Sequence, residues 1–336
     1  MEIDIILEPN LTPSQVCELG IQAEKLGIRT IWVQNYASSR DPFLSLAPLA
    51  QSSSRIRLGV AVVSPWEMHP LHMANSLLTL NELSGGRASM VVGGGGEWNA
   101  VIAAGFERRV GHEKEALEIV KGAVAGELVN YSGELYKAWG YSSAWASGEC
   151  PLVYGAASQP QMLRMAAGIA DGLMMSDVSI AMMPERIDII DAALAAKGRS
   201  KENFRINNFW AWHVNADIEV ARREARRELV IRGWLAEQWL AATLAAEDAE
   251  IVKNNMERFL KAYREKTGVI AGVPERIVDS LIDQLSCTGD LGSVDRHIAR
   301  LQEFATGGFT EIALRVHDDP SGSIQLIGAQ VVPALR

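Results

Sequence analysis

Short apolar runs alternate with amphipathic helical stretches along nearly the whole chain, and this alternation limits the possible folds more than any other feature. Strands are predicted at 3–8, 29–34, 56–64, 88–92, 151–156, 171–176, 204–214 and 309–316, where β-branched residues are frequent. Helical spacing follows at 13–26, 42–53, 70–84, 158–169, 184–197 and 293–306, with none expected after the last strand. Residues 217–286 read as helix almost throughout, with one break near 268–274. Thr12-Pro13 is an N-cap followed by proline at the first helical position, and Gly27 supplies the stop. The stretch 126–150, rich in Gly, Tyr, Trp and Ser, predicts a hairpin or a long loop.

Repeated strand-to-helix succession forces parallel strands joined by right-handed crossovers. Eight such units are what a closed barrel requires. An open doubly wound sheet would carry a glycine-rich turn after its first strand, but here that turn is Glu8-Pro9-Asn10-Leu11-Thr12. The expected fold class is therefore α/β: one (β/α)8 TIM-barrel domain over residues 1–336, with a helical insertion at about 217–286 before the last strand.

Composition narrows the function classes. Hydrophobic residues make up 48% of the 336, which excludes a disordered chain. With 32 Lys+Arg against 41 Asp+Glu the net charge is −9, unfavourable for a nucleic-acid partner. The densest basic run, Arg222-Arg223-Glu224-Ala225-Arg226-Arg227, reads as a solvated helix face. Cys17, Cys150 and Cys287 stand too far apart for a disulfide framework or a zinc cluster and suggest a reducing compartment. The first residues show no signal-peptide pattern, and no apolar run is long enough to span a bilayer. These readings predict a cytoplasmic protein acting on a small molecule, with no membrane partner.

In a barrel the chemistry lies where strands end at their carboxyl side. Glu8 closes an apolar strand, where burial would raise its pKa into a range useful for acid catalysis, or where it is a solvated strand end. Glu97 follows Gly93–Gly96, a bare backbone that lets a ligand approach, or it is a first-turn carboxylate on a helix dipole. Gly155-Ala156-Ala157-Ser158-Gln159-Pro160 joins a strand to a helix and reads either as an anion site at a free helix N-terminus or as a tight turn capped by Ser158. His69 and His72 have no third ligand nearby, so no metal site is expected. His112, His213, His297 and His317 have no recognisable spacing to a nucleophile. Of the nine tryptophans, Trp32, Trp66, Trp98, Trp210 and Trp212 could wall a planar cofactor, although any one is more often core.

Four stretches carry a family resemblance: Leu58–Pro65 with His69-Pro70, Leu80–Ala88 leading into Gly93–Glu97, Val153–Leu163 with Ala170-Asp171-Gly172, and Ser293–Leu314. Together the chain resembles the luciferase-like superfamily of flavin- and deazaflavin-dependent barrel enzymes. It is most similar to the branch holding methylenetetrahydromethanopterin reductase and the deazaflavin-dependent sugar-phosphate and secondary-alcohol dehydrogenases. The resemblance implies a non-prolyl cis peptide at Ala61-Val62 behind the ring of the cofactor, with Ser64 as a polar ring contact. It implies cofactor contacts from Gln34, Asn35, Gly95, Gly96 and Asn99, and phosphate-side contacts from Gly155, Ala156, Ala157, Ser158 and Gln159. Glu8 matches the strand-one glutamate of the reductase, and Glu97 matches the acid of the sugar-phosphate enzyme. The implied cofactor is coenzyme F-420, an 8-hydroxy-5-deazaflavin, with a pterin-like one-carbon carrier as substrate and a homodimer as assembly. An FMN-dependent monooxygenase, an NAD(P)H-dependent reductase without flavin, and a non-catalytic flavin-binding protein are the alternatives. Many relatives carry Asp-His after strand two, whereas this chain has Gln34-Asn35. Asparagine cannot exchange a proton near neutral pH, which argues against the alcohol and sugar dehydrogenase mechanisms.

Overall fold

A computed structural model describes residues 1–336 except 96, 97, 99, 100, 104–106, 232 and 233. Strands β1 (Glu2–Leu7), β2 (Thr30–Gln34), β3 (Arg57–Val63) and β4 (Ala88–Val92) form the first half of a parallel sheet. The hairpin β5 (Val129–Ser132) and β6 (Lys137–Tyr141) intervenes, antiparallel and separate. Strands β7 (Leu152–Ala156), β8 (Gly172–Ser176), β9 (Arg205–Val214), β10 (Ser286–Gly289) and β11 (Glu311–Arg315) follow. Parallel pairing runs β9–β11–β1–β2–β3–β4–β7–β8, and β8 pairs back onto β9. The sheet is an eight-stranded closed barrel ringed by helices, as the alternation predicts.

Several elements depart from the sequence reading, among them the helix Arg109–Val124, for which the reading has no bounds. β10 lies at the end of the stretch that reads as helix and just beyond it; its Ser286-Cys287-Thr288-Gly289 has no apolar run, and it pairs with Ala211–Val214 along the edge of β9 that β8 leaves beyond Phe209. The last strand is also followed by helix, at Pro320–Leu326 and Val332–Leu335 with a π-helical turn between them. Asp319 caps that segment by accepting from the Gly322 amide, so Pro320-Ser321-Gly322-Ser323, which reads as a turn, is a helix start. Among the described residues of 217–286 there are five helices (Ile218–Glu228, Glu237–Thr243, Ala246–Lys253, Met256–Arg264, Glu275–Leu285), with more breaks than the one expected. Thr12 and Gln15 complete a reciprocal capping box at the first helix.

Side chains two apart on a strand share a face, so each strand sends every second residue into the barrel. Ile6, Trp32, Val91, Tyr154, Met174 and Ala313 meet there as a buried core. Gly59 has no side chain because the Trp32 ring fills its place. One step toward the strand starts lies a polar layer. Asp4 and Glu311 are fully buried, and Arg29 reaches Asp4 at 2.9 Å and Glu311 at 2.6 Å. Trp32 and Asn207 also donate to Asp4, at 2.9 and 2.8 Å. One step the other way, the same parity delivers Glu8, Gln34, Gly93, Ala156, Ser176 and Arg315 to the barrel mouth. Trp210 and Trp212 have the opposite parity and pack outward on Phe304 and His297.

Candidate active site

The mouth has two sides. On the β3 side the Ala61–Val62 peptide is cis, and the register of β3 against β4 shifts there between Ala61 and Val63. The Val62 carbonyl accepts from Asn35 Nδ2 at 3.2 Å, and the Ala61 carbonyl accepts from the Asn35 amide at 3.1 Å. Asn35 is the hub of this wall: its Oδ1 accepts from the Trp98 indole at 3.2 Å, and its Nδ2 also donates to Glu67 at 2.5 Å. The same Glu67 Oε1 accepts from the Ser64 amide at 2.9 Å, while Ser64 Oγ accepts from the Trp66 amide. Burial pushes the Glu67 carboxyl up to about 7, against the two hydrogen bonds that favour its charge.

Beside Val62 lie Gly93 and Ala156, one strand and two strands further round. A Cβ on Gly93 would collide with both the Val62 and the Ala156 side chains, so the glycine keeps this row of small groups flat. Gln34, 5% exposed, donates to the Tyr36 hydroxyl, and its Oε1 is buried without a hydrogen-bond partner among the described residues. Gly94 leaves room for the Arg109 guanidinium, which the buried Glu113 holds at 3.2 Å. Gly95 has a positive φ of 74°, a conformation glycine adopts freely. Gly96, Glu97 and Asn99, all expected at this site, lie outside the described residues.

Two strands from β3 round the barrel, Glu8 stands just past β1. Its setting corrects the expectation of an apolar strand end: Oε1 is 2.8 Å from Arg315 Nη2 and 2.9 Å from His317 Nδ1. Burial, together with Arg315 and His213, holds His317 well below the usual histidine range. The ring is therefore neutral, and the contact with Glu8 places its proton on Nδ1. His317 stacks on His213 with centroids 4.6 Å apart, and His213 Nδ1 meets Glu224 at 2.6 Å. Glu8 and His317 line a cavity of about 420 Å³ together with Asn10, Tyr263, Arg264 and Lys266.

The 155–160 turn is not capped as a Ser158 turn would be. Ser158 Oγ accepts from the Ser176 amide at 3.0 Å, and no side chain caps the helix Pro160–Ala167, whose N-cap is Gln159. The Ala157 amide donates to Met174 O at 3.2 Å and is not available to a ligand. Gly155 is glycine for packing, since a Cβ there would sit 2.6 Å from that of Ala166.

Among the remaining expectations, His69 caps the helix Pro70–Leu83 by accepting from the Leu71 amide, and no metal-binding cluster is present among the described residues. The basic run is only partly solvated, because Arg226 pairs with Asp279 at 2.6 Å and Arg227 with Asp318 at 2.7 Å. No helix among the described residues is long and apolar enough to cross a membrane. Sequence reasoning missed Glu67, Arg315 and His317. Ser64-Pro65-Trp66-Glu67 does carry a capping-box spacing that singles out Glu67, whereas no local pattern ties Arg315 to Glu8.

A family model described as luciferase-like monooxygenase matches residues 4–311. The 5,10-methylenetetrahydromethanopterin reductase of Archaeoglobus fulgidus is 29% identical over 94% of this chain and 93% of its own length. The solved structure of the coenzyme F-420-dependent tetrahydromethanopterin reductase from Methanopyrus kandleri aligns with a TM-score of 0.83 at 20% identity, covering 100% of both chains. An F-420-dependent secondary alcohol dehydrogenase, solved with an F-420-acetone adduct, aligns with a TM-score of 0.77 at 17% identity, also covering 100% of both. With the family match running from β1 to the start of β11, this chain belongs to the luciferase-like monooxygenase family.

Proposed function

We propose that this chain is an oxidoreductase that passes a hydride between coenzyme F-420 and a small organic substrate, a pterin-like one-carbon carrier, and that it works as a cytoplasmic homodimer. The observation that carries the reading is the barrel mouth itself. It brings Glu8, just past β1, to the same rim as Val62 of β3, two strands round, with Gly93 and Ala156 following past β4 and on β7.

The residues present fit a planar redox cofactor. Val62, Gly93 and Ala156 would give a planar ring a bed of small groups, and Gln34 Oε1 at the same mouth is a buried acceptor without a partner among the described residues. The uncapped start of the helix Pro160–Ala167 suits an anionic tail, because the first amides of a helix point outward. When bound, a deazaflavin supplies a carbon centre that accepts or gives up a hydride.

The protein's own part is positioning and proton handling. Asn35 donates to both carbonyls of the Ala61–Val62 unit and so braces the wall on which a ring would lie. Arg315 and His317 both bind Glu8 Oε1, leaving Oε2 without a hydrogen bond among the described residues. Oε2 is then the oxygen that delivers or takes the proton accompanying hydride transfer, and general acid catalysis of this kind contributes about 10²–10⁴-fold. Tyr263, Arg264 and Lys266 reach the Glu8 cavity from the helical segment after β9, which makes that segment the cover over the substrate.

The test is cofactor binding followed by turnover. Purified protein is titrated with coenzyme F-420 and, separately, with FMN, while the absorbance of each is followed. Saturable F-420 binding and substrate-dependent change of its oxidation state are expected. FMN binding with oxygen consumption, and no F-420 binding, would replace this reading with that of a monooxygenase.

A further inference from the structure

Glu67 is not part of the hydride-transfer reading given above, yet it is tied to the β3 side of the cofactor wall through Asn35 and Ser64. Its Oε1 joins Asn35 to the Ser64 amide, and Asn35 in turn holds the Val62 carbonyl and the Trp98 indole. Its Oε2 is buried without a hydrogen-bond partner among the described residues. Among the described residues no cation faces it from the elements packed around it. On its own turn stands His69, held below the usual range by burial and by His72. From the helix Arg109–Val124, His112 packs against Trp66 with ring centroids 4.6 Å apart and tilted by 36°, and is likewise lowered by burial. From the hairpin, the Tyr136 hydroxyl donates to Pro65 O at 2.7 Å, and burial raises it to about 12. All three are uncharged at neutral pH. From β2 only the amide of Asn35 reaches the carboxyl.

A carboxylate in such a place has hydrogen bonds but no counter-charge, and it shares the Asn35 Nδ2 donor with the Val62 carbonyl of the wall. A flat ring laid on Val62 would replace water beside this pair with apolar surface, a desolvation of the carboxylate. We propose that Glu67 is a positioning residue of the cofactor wall whose carboxyl takes up one proton when the cofactor binds, so that protonation of Glu67 and occupancy of the wall are linked. The inference rests on the wall being the cofactor site. Its sign follows from that desolvation: covering the wall disfavours the charged form, and affinity falls as pH rises through the range in which Glu67 ionises. The titration range is neutral, since burial has already pushed this carboxyl up to about 7.

Glu67→Gln preserves the acceptor for Asn35 and Ser64 and removes the proton equilibrium. The experiment measures the dissociation constant of coenzyme F-420 for the wild type and Glu67→Gln from about pH 6 to pH 8.5, and takes their ratio, which cancels the titration of the cofactor itself. The ratio is expected near one at the acidic end, rising up to about tenfold per pH unit above neutrality, the limit for one linked proton. A ratio independent of pH would overturn the proposal. Glu67→Ala, which also loses the tether, is expected to bind more weakly at every pH.

A second readout uses the infrared band of protonated carboxyls, recorded as wild type minus Glu67→Gln. The free protein should lose this band near neutrality, and adding cofactor at about pH 8 should restore it. Should Glu67→Gln fold poorly, Asn35→Ala takes away a donor that favours the charged form and should move the wild-type midpoint upward. No shift would count against the proposal. Absence of F-420 binding at any pH would remove the cofactor reading, while the infrared titration of the free protein would still decide whether Glu67 holds its proton.

Discussion

At the scale of single residues, the central pair is Glu8 with its two donors. Glu8→Gln keeps the shape and one acceptor but loses the proton, so turnover should fall at least about tenfold with F-420 affinity unchanged; steady-state kinetics beside a binding titration checks both. Glu67 gives a stability prediction with a definite sign. Its carboxyl is raised by burial, so the folded state binds the extra proton between the ordinary value of 4.5 and about 7. The stability that this proton confers is present at acid pH and is lost as pH rises through about 7. Glu67→Gln should therefore melt higher than the wild type in alkaline buffer, with the difference shrinking as pH falls toward the ordinary carboxylate value; a constant difference would count against it. Glu8 was legible because its position at a strand end follows from the barrel alone. Its setting was not, because Arg315 lies 307 residues away and only closure of β11 onto β1 brings the two together. Glu67 was hidden for a different reason: its capping-box spacing looks like ordinary helix punctuation, and only burial makes it chemical.

At the scale of elements, the barrel strands were readable because parallel strands buried on both faces are near-continuous apolar runs. β10 was not, since Ser286-Cys287-Thr288-Gly289 owes its pairing to the length of β9, which outruns its neighbour β8. The glycines of the mouth were visible as a run, but their separate duties were not: Gly93 serves Val62 and Ala156, and Gly94 serves Arg109. Gly93→Ala should overpack this junction at a cost of about 1–3 kcal/mol and weaken cofactor binding as well, read by denaturant titration beside F-420 titration. An unaltered affinity would separate the β3–β4–β7 row from the cofactor site.

At the scale of the whole molecule, closure depends on a charge network that the mouth never sees. Asp4 of β1 and Glu311 of β11 share the guanidinium of Arg29, which stands just before β2 and is itself only 11% exposed. Arg29→Met leaves the buried Asp4 without its cation while Glu311 keeps Arg205 at 2.7 Å, and removing one partner of such a cluster costs about 3–5 kcal/mol; urea unfolding should show the loss, and a change under about 1 kcal/mol would mean that Arg205 alone sustains the network. This layer holds the strands in register, and the register decides which residues reach the rim. On the function proposed above, the rim carries deazaflavin-linked hydride transfer with Glu8 as its proton donor. The most direct measurement mixes the protein with reduced coenzyme F-420 and 5,10-methylenetetrahydromethanopterin and follows the absorbance of the oxidised cofactor in the wild type and Glu8→Gln. The expected result is a rise with the wild type and a rate at least about tenfold lower with the variant. Equal rates for the two, or no rise with either while F-420 is bound, would contradict it.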